Sequence, residues 1–237
     1  MILHHVAQGS PEWVKLRIGL PTASCFDRIL TPKTRKLSAS ADKYALELCT
    51  EWLFGRPVHD VATAFMERGS ELEAQARATY SFDYTSEVDE VGGKIEQIGF
   101  ITDDTARYGC SPDALVGPYG LLEIKCLSAV NHVAALLGDA DSYTLQIQGQ
   151  LLVAERSWCD RMYFNPVLPS IVQRVERDEE LIGQLADTLD SFCDRLTEMK
   201  NRLLALGCKP VDGAVPDAVP AAESAEFDVS MGQCVDD

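Results

Sequence analysis

"GCSPDALVGPYGLLEIKC", residues 109–126, places Asp113, Glu123 and Lys125 inside an otherwise apolar stretch around a Gly-Pro-Tyr-Gly turn. An unpaired ion buried among apolar side chains is costly, or it shifts its pKa and neutralises. Two readings are therefore open: the charges face water on a solvated hairpin, or they are gathered to bind a metal ion. Side chains alternate along a strand, so Glu123 and Lys125 emerge on one face and Leu122, Ile124 and Cys126 on the other. If the turn closes a hairpin, Asp113 lies across from the start of the Glu-x-Lys triplet, within about one residue of register. Two carboxylates that close repel each other unless a cation sits between them, and oxygen-only ligation suits Mg²⁺ or Mn²⁺. With a lysine beside them to orient or help deprotonate water, the set has the parts for phosphodiester hydrolysis.

The surrounding chain predicts a mixed architecture. Ser10-Pro11-Glu12 opens a short helix carrying Trp13, Leu16 and Arg17, with a hydroxyl cap followed by proline. "PTASCFDRIL" (21–30) reads as a second helix entry, with Thr22 or Ser24 at its cap. A helix follows over about 40–54, with Tyr44, Leu48, Cys49 and Trp52 at helical spacing and Gly55 as its stop. Another spans about 63–80. The pattern then switches to period two in "KIEQIGFITDD" (94–104), "YGCSPDALV" (108–116) and "GLLEIKC" (120–126). Helices over about 128–137 and 142–154, strands in "CDRMYFNPV" and "SIVQRVERD", and an amphipathic helix over about 178–206 complete the sequence. Helices, a mixed sheet and flanking helices make one α/β (α+β) domain, residues 1–207. Residues 208–237, rich in Ala, Pro and acids, are expected to be disordered.

Composition limits the function classes. No run approaches the roughly 18 apolar residues of a membrane span, and the start lacks a basic segment followed by a long apolar core, so a cytoplasmic protein is expected. Eight cysteines occur without any Cys-x-x-Cys pair, which fits reduced, mostly buried thiols and no zinc site or disulfide framework. The net charge of −16 opposes nucleic-acid binding by the overall field. The 208–237 tail accounts for six of those charges, with seven acidic residues against Lys209. Contact with DNA would therefore need a local basic patch.

Five blocks in order resemble the phage lambda exonuclease (YqaJ-type viral recombinase) branch of the PD-(D/E)xK nuclease superfamily. Pro112-Asp113, Glu123 and Lys125 match the superfamily motif. "WVKLRIGLPTAS" (13–24) resembles the branch's W-x-x-x-R-x-G-x-x-T-A-S opening, and "RGSELEAQAR" (68–77) its G-x-x-x-E-x-x-A-R helix. "GCSPDALV" and "LLEIKC" are similar to its central strands, and "LQIQGQLLV" (144–153 region) to its glutamine-bearing helix. The resemblance covers about residues 8–180 and implies a restriction-endonuclease-like core, a central mixed sheet flanked by helices.

Carried over residue by residue, the resemblance implies that Asp113, Glu123, the Ile124 carbonyl and Glu73 hold divalent metal, Mg²⁺ with Mn²⁺ able to substitute. Lys125 would be the catalytic lysine, and Gln146 would reach the active site from the following helix. Glu73 has a second reading as the i,i+4 partner of Arg77. Gly69, on the same helix face, would let that helix approach the sheet. Arg17 matches the residue that holds a 5′-terminal phosphate, with Ser24 and Ser111 adding hydroxyl donors; alternatively Arg17 is a surface charge on a short helix. Lys33, Arg35 and Lys36 form a basic loop that touches DNA backbone or is simply solvated. Phe65 and Met66 fall where the family places an apolar wedge at the duplex end, and core packing suits them equally. Gln148 and Gln150 are expected to face solvent or an interface. Ala114 replaces a glycine and Leu127 a proline of the family pattern, and the tail has no counterpart.

The implied activity is 5′→3′ degradation of one strand of linear duplex DNA from a 5′-phosphorylated end, leaving a 3′ single strand. The implied assembly is a homotrimeric ring with a basic channel and an acidic exterior. The implied partner is a single-strand annealing protein (RecT/Red-beta-like) in phage-type recombination, encoded by a phage or prophage. A RecB/Cas4-like endonuclease is the alternative, disfavoured in its iron–sulfur form by the scattered cysteines. A fold retained only to bind a partner is the third reading, opposed by the complete Asp-Glu-Lys set.

Overall fold

A computed structural model of the chain describes residues 1–58, 64–83, 94–140 and 143–211. The expected tail lies almost wholly outside them. Among the described residues, no helix is long and apolar enough to cross a membrane. The strands are β1 (Ile2–His4), β2 (Ile95–Glu96), β3 (Phe100–Thr102), β4 (Gly109–Cys110), β5 (Ala114–Val116), β6 (Gly120–Cys126), β7 (Trp158–Phe164) and β8 (Ile171–Glu176). The helices are α1 (Pro11–Arg17), α2 (Ala41–Phe54), α3 (Ala64–Asp83), α4 (Ala129–Leu136), α5 (Thr144–Val153) and α6 (Glu179–Ala205), with a 3₁₀ segment over Ala23–Arg28.

Five strands form the central sheet in the order β2-β5-β6-β7-β8. The pair β6/β7 is parallel and its neighbours are antiparallel, so the sheet is mixed. Between β6 and β7 the chain must cross over, and α4 and α5 make that connection. A smaller sheet, β1-β3-β4, lies beside it. The expected hairpin is present, with Ala114 paired to Leu122 and Val116 to Gly120.

Two period-two stretches do not form single strands. In 94–104 the chain leaves the central sheet after Glu96 and joins the small one at Phe100. At Gly99, between them, a Cβ would come 2.0 Å from the Val6 carbonyl oxygen, so only glycine permits the crossing. The 108–116 stretch likewise divides into β4 and β5 around Ser111-Pro112-Asp113. The strand β1 gave no alternating signal, being three residues long and largely exposed. The "PTASCFDRIL" helix is a 3₁₀ turn, and Thr22 makes no side-chain capping bond.

Helix ends follow local chemistry. The Ser10 side chain accepts from the Trp13 N–H (3.2 Å), the Asp178 side chain from the Leu181 N–H (3.0 Å), and Gly55 ends α2 at φ +64°. Apolar side chains pack on both sheet faces. Phe26, Leu48, Leu121, Leu145, Leu151, Leu185 and Phe192 belong to the larger core. Ala76 and Tyr80 of α3 meet Leu122, Ile124, Met162 and Phe164 in the smaller one. Thus β6 is covered twice, which explains its nearly continuous apolar sequence. Four of the seven described cysteines are buried and all seven are free thiols.

Helix α5 lies tight on the 3₁₀ segment: a Cβ on Gly149 would sit 2.4 Å from Phe26 Cδ2, inside the ring's contact distance. Gly149→Ala should therefore destabilise the domain by about 1–3 kcal/mol through overpacking, read as a lower urea midpoint with the slope unchanged.

Candidate active site

The hairpin β5/β6 sets the centre of the site. Asp113, just before β5, donates its N–H to the Leu122 carbonyl (3.0 Å). Its Oδ2 accepts the Ile124 N–H at 2.6 Å. The residue is 9% exposed. Burial first, and then the charges of Glu123 and Glu73, push its carboxyl well above the usual carboxylate range, while the Ile124 N–H opposes the shift.

Glu123 is 4% exposed and held through both oxygens. Oε1 accepts from Gln146 Nε2 (2.6 Å) and faces Lys125 Nζ at 2.7 Å. Oε2 accepts from Gln150 Nε2 (2.6 Å). Lys125 Nζ also donates to Gln146 Oε1 (2.9 Å) and lies 4.4 Å from the centre of the Tyr143 ring. Burial lowers the lysine pKa, but the pull of Glu123 outweighs it and the net shift is upward. Lys125 is thus a protonated ammonium here. Tyr143 caps α5 from the left-handed region at φ +47°, an uncommon conformation for a residue with a Cβ and one that concentrates at functional sites.

Glu73 lies on α3. Burial raises its pKa most, Arg77 opposes, and Glu123 adds to the rise, so the acid feels the hairpin carboxylates. Arg77 itself bonds Gln97, whose oxygen accepts from Nη2 and Nε at 2.8 and 3.0 Å once the amide is turned to suit. Two turns beyond Glu73, Tyr80 donates to Asp160 Oδ2 (2.6 Å), and Arg174 bonds both oxygens of Asp160 (2.9 and 2.8 Å). This network pins α3 to the sheet.

A second cluster lies under α1. Arg17 Nη1 donates to Ser111 Oγ (3.1 Å), and Trp13 Nε1 donates to the same oxygen (2.9 Å) and to the Gly99 carbonyl (3.0 Å). The guanidinium lies 4.1 Å from the Trp13 ring centre, and burial lowers its pKa. Among the described residues, no carboxylate forms an ion pair with it. Ser24 is exposed and bonds Thr22 (3.3 Å), which bridges to Gly109 two residues before Ser111.

The other expected contacts are spread out. Arg35 is engaged by α6, with Glu180 at 3.0 Å and Asp178 at 3.6 Å, while Lys33 and Lys36 are exposed. Phe65, Met66 and Gly69 belong to the stretch of α3 whose side chains lie outside the described set.

The structure corrects the reading of two glutamines. Gln148 and Gln150 do not face solvent; they are 3% and 1% exposed. Gln148 ties α5 to the end of β8 and the start of α6 through the Glu176 carbonyl (2.8 Å) and the Asp178 N–H (2.9 Å). Gln150 grips Glu123. The signal was present in the spacing: Gln146 and Gln150 are four apart, hence on one helix face. Tyr143 carried no sequence signal, because a left-handed aromatic cap follows from tertiary packing.

Among the described residues, no three Asp, Glu, His or Cys side chains form a preformed metal cage. Mg²⁺ does not need one, since it takes one or two carboxylates and keeps waters and substrate oxygens as its other ligands. The raised Asp113 carboxyl beside Glu123 is the repulsion that such a cation relieves, so the donor set fits a hard divalent ion. The sign follows for stability: a carboxyl whose folded pKa is raised penalises the fold above that pKa, and the penalty vanishes below the unfolded value. In chelator at neutral pH, Asp113→Asn should melt higher than the parent, because the variant loses that penalty. Mn²⁺ should stabilise the parent and not the variant in thermal melts.

A family model for the YqaJ-like viral recombinase domain matches residues 12–157. Among solved structures, the alkaline exonuclease LHK-Exo from Laribacter hongkongensis is 32% identical, over 84% of this chain and 98% of that one, with a TM-score of 0.69. The same protein in complex with dAMP is also 32% identical, over the same shares of both chains, and gives 0.71. A phage related exonuclease from Haemophilus somnus 129PT, 16% identical over 78% of this chain and 96% of that one, shares the fold at a TM-score of 0.58. No curated protein sequence matches the chain. With the match spanning α1 to α5 and taking in both carboxylates and the lysine, the chain belongs to the YqaJ-like viral recombinase domain family.

Proposed function

We propose that the chain is a metal-dependent 5′→3′ exonuclease that consumes one strand of linear duplex DNA from a 5′-phosphorylated end and leaves a 3′ single-stranded overhang. The observation that carries this reading is the meeting on one hairpin of Asp113 and Glu123, both buried, with Lys125 paired to Glu123 and Asp113 held by the Ile124 N–H beside them. Asp113, Glu123 and the Ile124 carbonyl, with Glu73 from α3, would hold Mg²⁺ or Mn²⁺. Bound there, the metal supplies Lewis-acid polarisation of the phosphoryl group and a water acidic enough to attack it. Lys125, protonated beside Glu123, would orient the attacked phosphate and neutralise charge developing on it. Gln146 bridges lysine and glutamate and keeps the two in register.

End selection is assigned to Arg17 and Ser111. A half-buried guanidinium with no carboxylate partner among the described residues, facing a hydroxyl, suits a terminal phosphate. The dAMP carried by LHK-Exo, a mononucleotide of the kind an exonuclease releases, supports the same product class here. The wider setting proposed is a homotrimer around a DNA channel, working in the bacterial cytoplasm with a single-strand annealing protein in phage-type recombination.

The test is digestion of linear duplexes labelled at either end, with Mg²⁺ and with chelator. Loss of the 5′ label first, dependence on the metal, and survival of closed circles are expected; loss of the 3′ label first would overturn the polarity. Removing the 5′ phosphate should slow digestion about 10-fold or more, as losing a charge-assisted pair does. Arg17→Ala should equalise the two rates, and Asp113→Ala should abolish cleavage.

A further inference from the structure

We propose that Gln150 is a positioning residue that fixes the plane of the Glu123 carboxylate and thereby sets the affinity of the site for its metal ion. The inference rests on the reading of Glu123 as a metal ligand. Gln150 is 1% exposed, so it cannot itself touch DNA. Its Nε2 donates to Glu123 Oε2 at 2.6 Å. Its own Oε1 is buried with no hydrogen-bond partner among the described residues. A buried amide with an orphaned carbonyl carries a desolvation cost that a methionine of similar size avoids. The one contact that offsets this cost is the bond to Glu123.

The other two groups on Glu123 are of a different kind. Gln146 and Lys125 share Oε1, both are partly exposed, and Lys125 is the group expected to turn towards substrate. Among the described residues, Gln150 alone holds Oε2, from a helix locked by the Gly149–Phe26 approach. A carboxylate pinned at one oxygen by a rigid amide cannot rotate about its terminal torsion. With its plane held, the carboxylate would not have to be ordered when a cation binds. Partners behind a metal's direct ligands commonly shift metal affinity by about 10–100-fold when removed.

The experiment is Mn²⁺ titration of the full chain, followed by calorimetry and by the loss of free-ion Mn²⁺ paramagnetic resonance, neither of which depends on DNA cleavage. Gln150→Met should raise the Mn²⁺ dissociation constant about 10-fold or more, with a metal-free melting temperature lowered to an extent comparable with Gln148→Met, because Glu123 Oε2 loses its donor. Gln150→Asn, which withdraws the amide by one methylene, should weaken binding as well and guards against misfolding of the first variant. Gln148→Met is the control: it removes an equally buried glutamine from the same helix and should lower the melting temperature while leaving Mn²⁺ affinity unchanged. If Glu123→Gln abolishes binding while both Gln150 variants bind as the parent does, the positioning role is overturned and the metal site stands. If Glu123→Gln binds Mn²⁺ as tightly as the parent, the metal reading itself falls.

Discussion

The structure is organised around two carboxylates on one hairpin that would repel each other if left alone. Asp113 and Glu123 come from neighbouring strands, both nearly excluded from water. Removing an ionised carboxylate from water is costly unless hydrogen bonds or opposite charge replace the lost hydration. The fold supplies those replacements one by one: a backbone N–H for Asp113, two amides and an ammonium for Glu123. The compensation is incomplete, because the Asp113 carboxyl stays raised. That residual repulsion makes the pair receptive to a dication, so a cost in stability and a capacity for chemistry have the same origin.

The surrounding elements can be understood as the means of delivering those donors. Strand β6 must turn Glu123 and Lys125 towards α5 on one face while Leu122 and Ile124 bury against α3 on the other, which requires helices on both sides. Helix α5 must come close enough for side chains four residues apart to reach the same carboxylate. Gly149 makes this possible by leaving room for the Phe26 ring. The left-handed cap at Tyr143 turns the chain into α5 and puts an aromatic face by the lysine ammonium. On the far side, the Tyr80–Asp160–Arg174 network, with Arg174 3.8 Å from the Trp158 ring centre, fixes the helix that bears Glu73.

What was legible in the sequence was whatever depends on local periodicity. The period of two put Glu123 and Lys125 together, the turn at 117–120 put Asp113 across from them, the Ser10 cap marked the start of α1, and an apolar stripe marked α6. What was not legible depends on distant contacts. Nothing near Gly99 reveals that Val6 will pass against it and divide an alternating stretch between two sheets. Gln148 and Gln150 were expected at solvent or an interface, yet both are buried within the chain because each amide meets a specific group brought by another element. A polar residue on a buried helix face is invisible to hydropathy, and only its spacing from Gln146 pointed inward. The basic loop shows the same limit, since Arg35 meets Glu180 from a helix 145 residues later.

The chain's acidity, which opposes DNA binding by the overall field, takes a different meaning once the cations are located. Arg35, Arg107, Arg174, Arg177 and Arg195 are held in ion pairs with carboxylates and project little free charge. Arg17 is in another situation. Its neighbours are the Trp13 ring and the Ser111 hydroxyl, and burial lowers its pKa instead of a carboxylate raising it. A guanidinium so placed gains more from an incoming phosphate than a paired one, because no existing bridge has to break. Net charge therefore says little about where an anion can bind. Among the described residues, Arg17 combines partial burial, a hydroxyl neighbour and no carboxylate in ion-pair range, a setting in which an added anion would meet a guanidinium whose charge is not already matched.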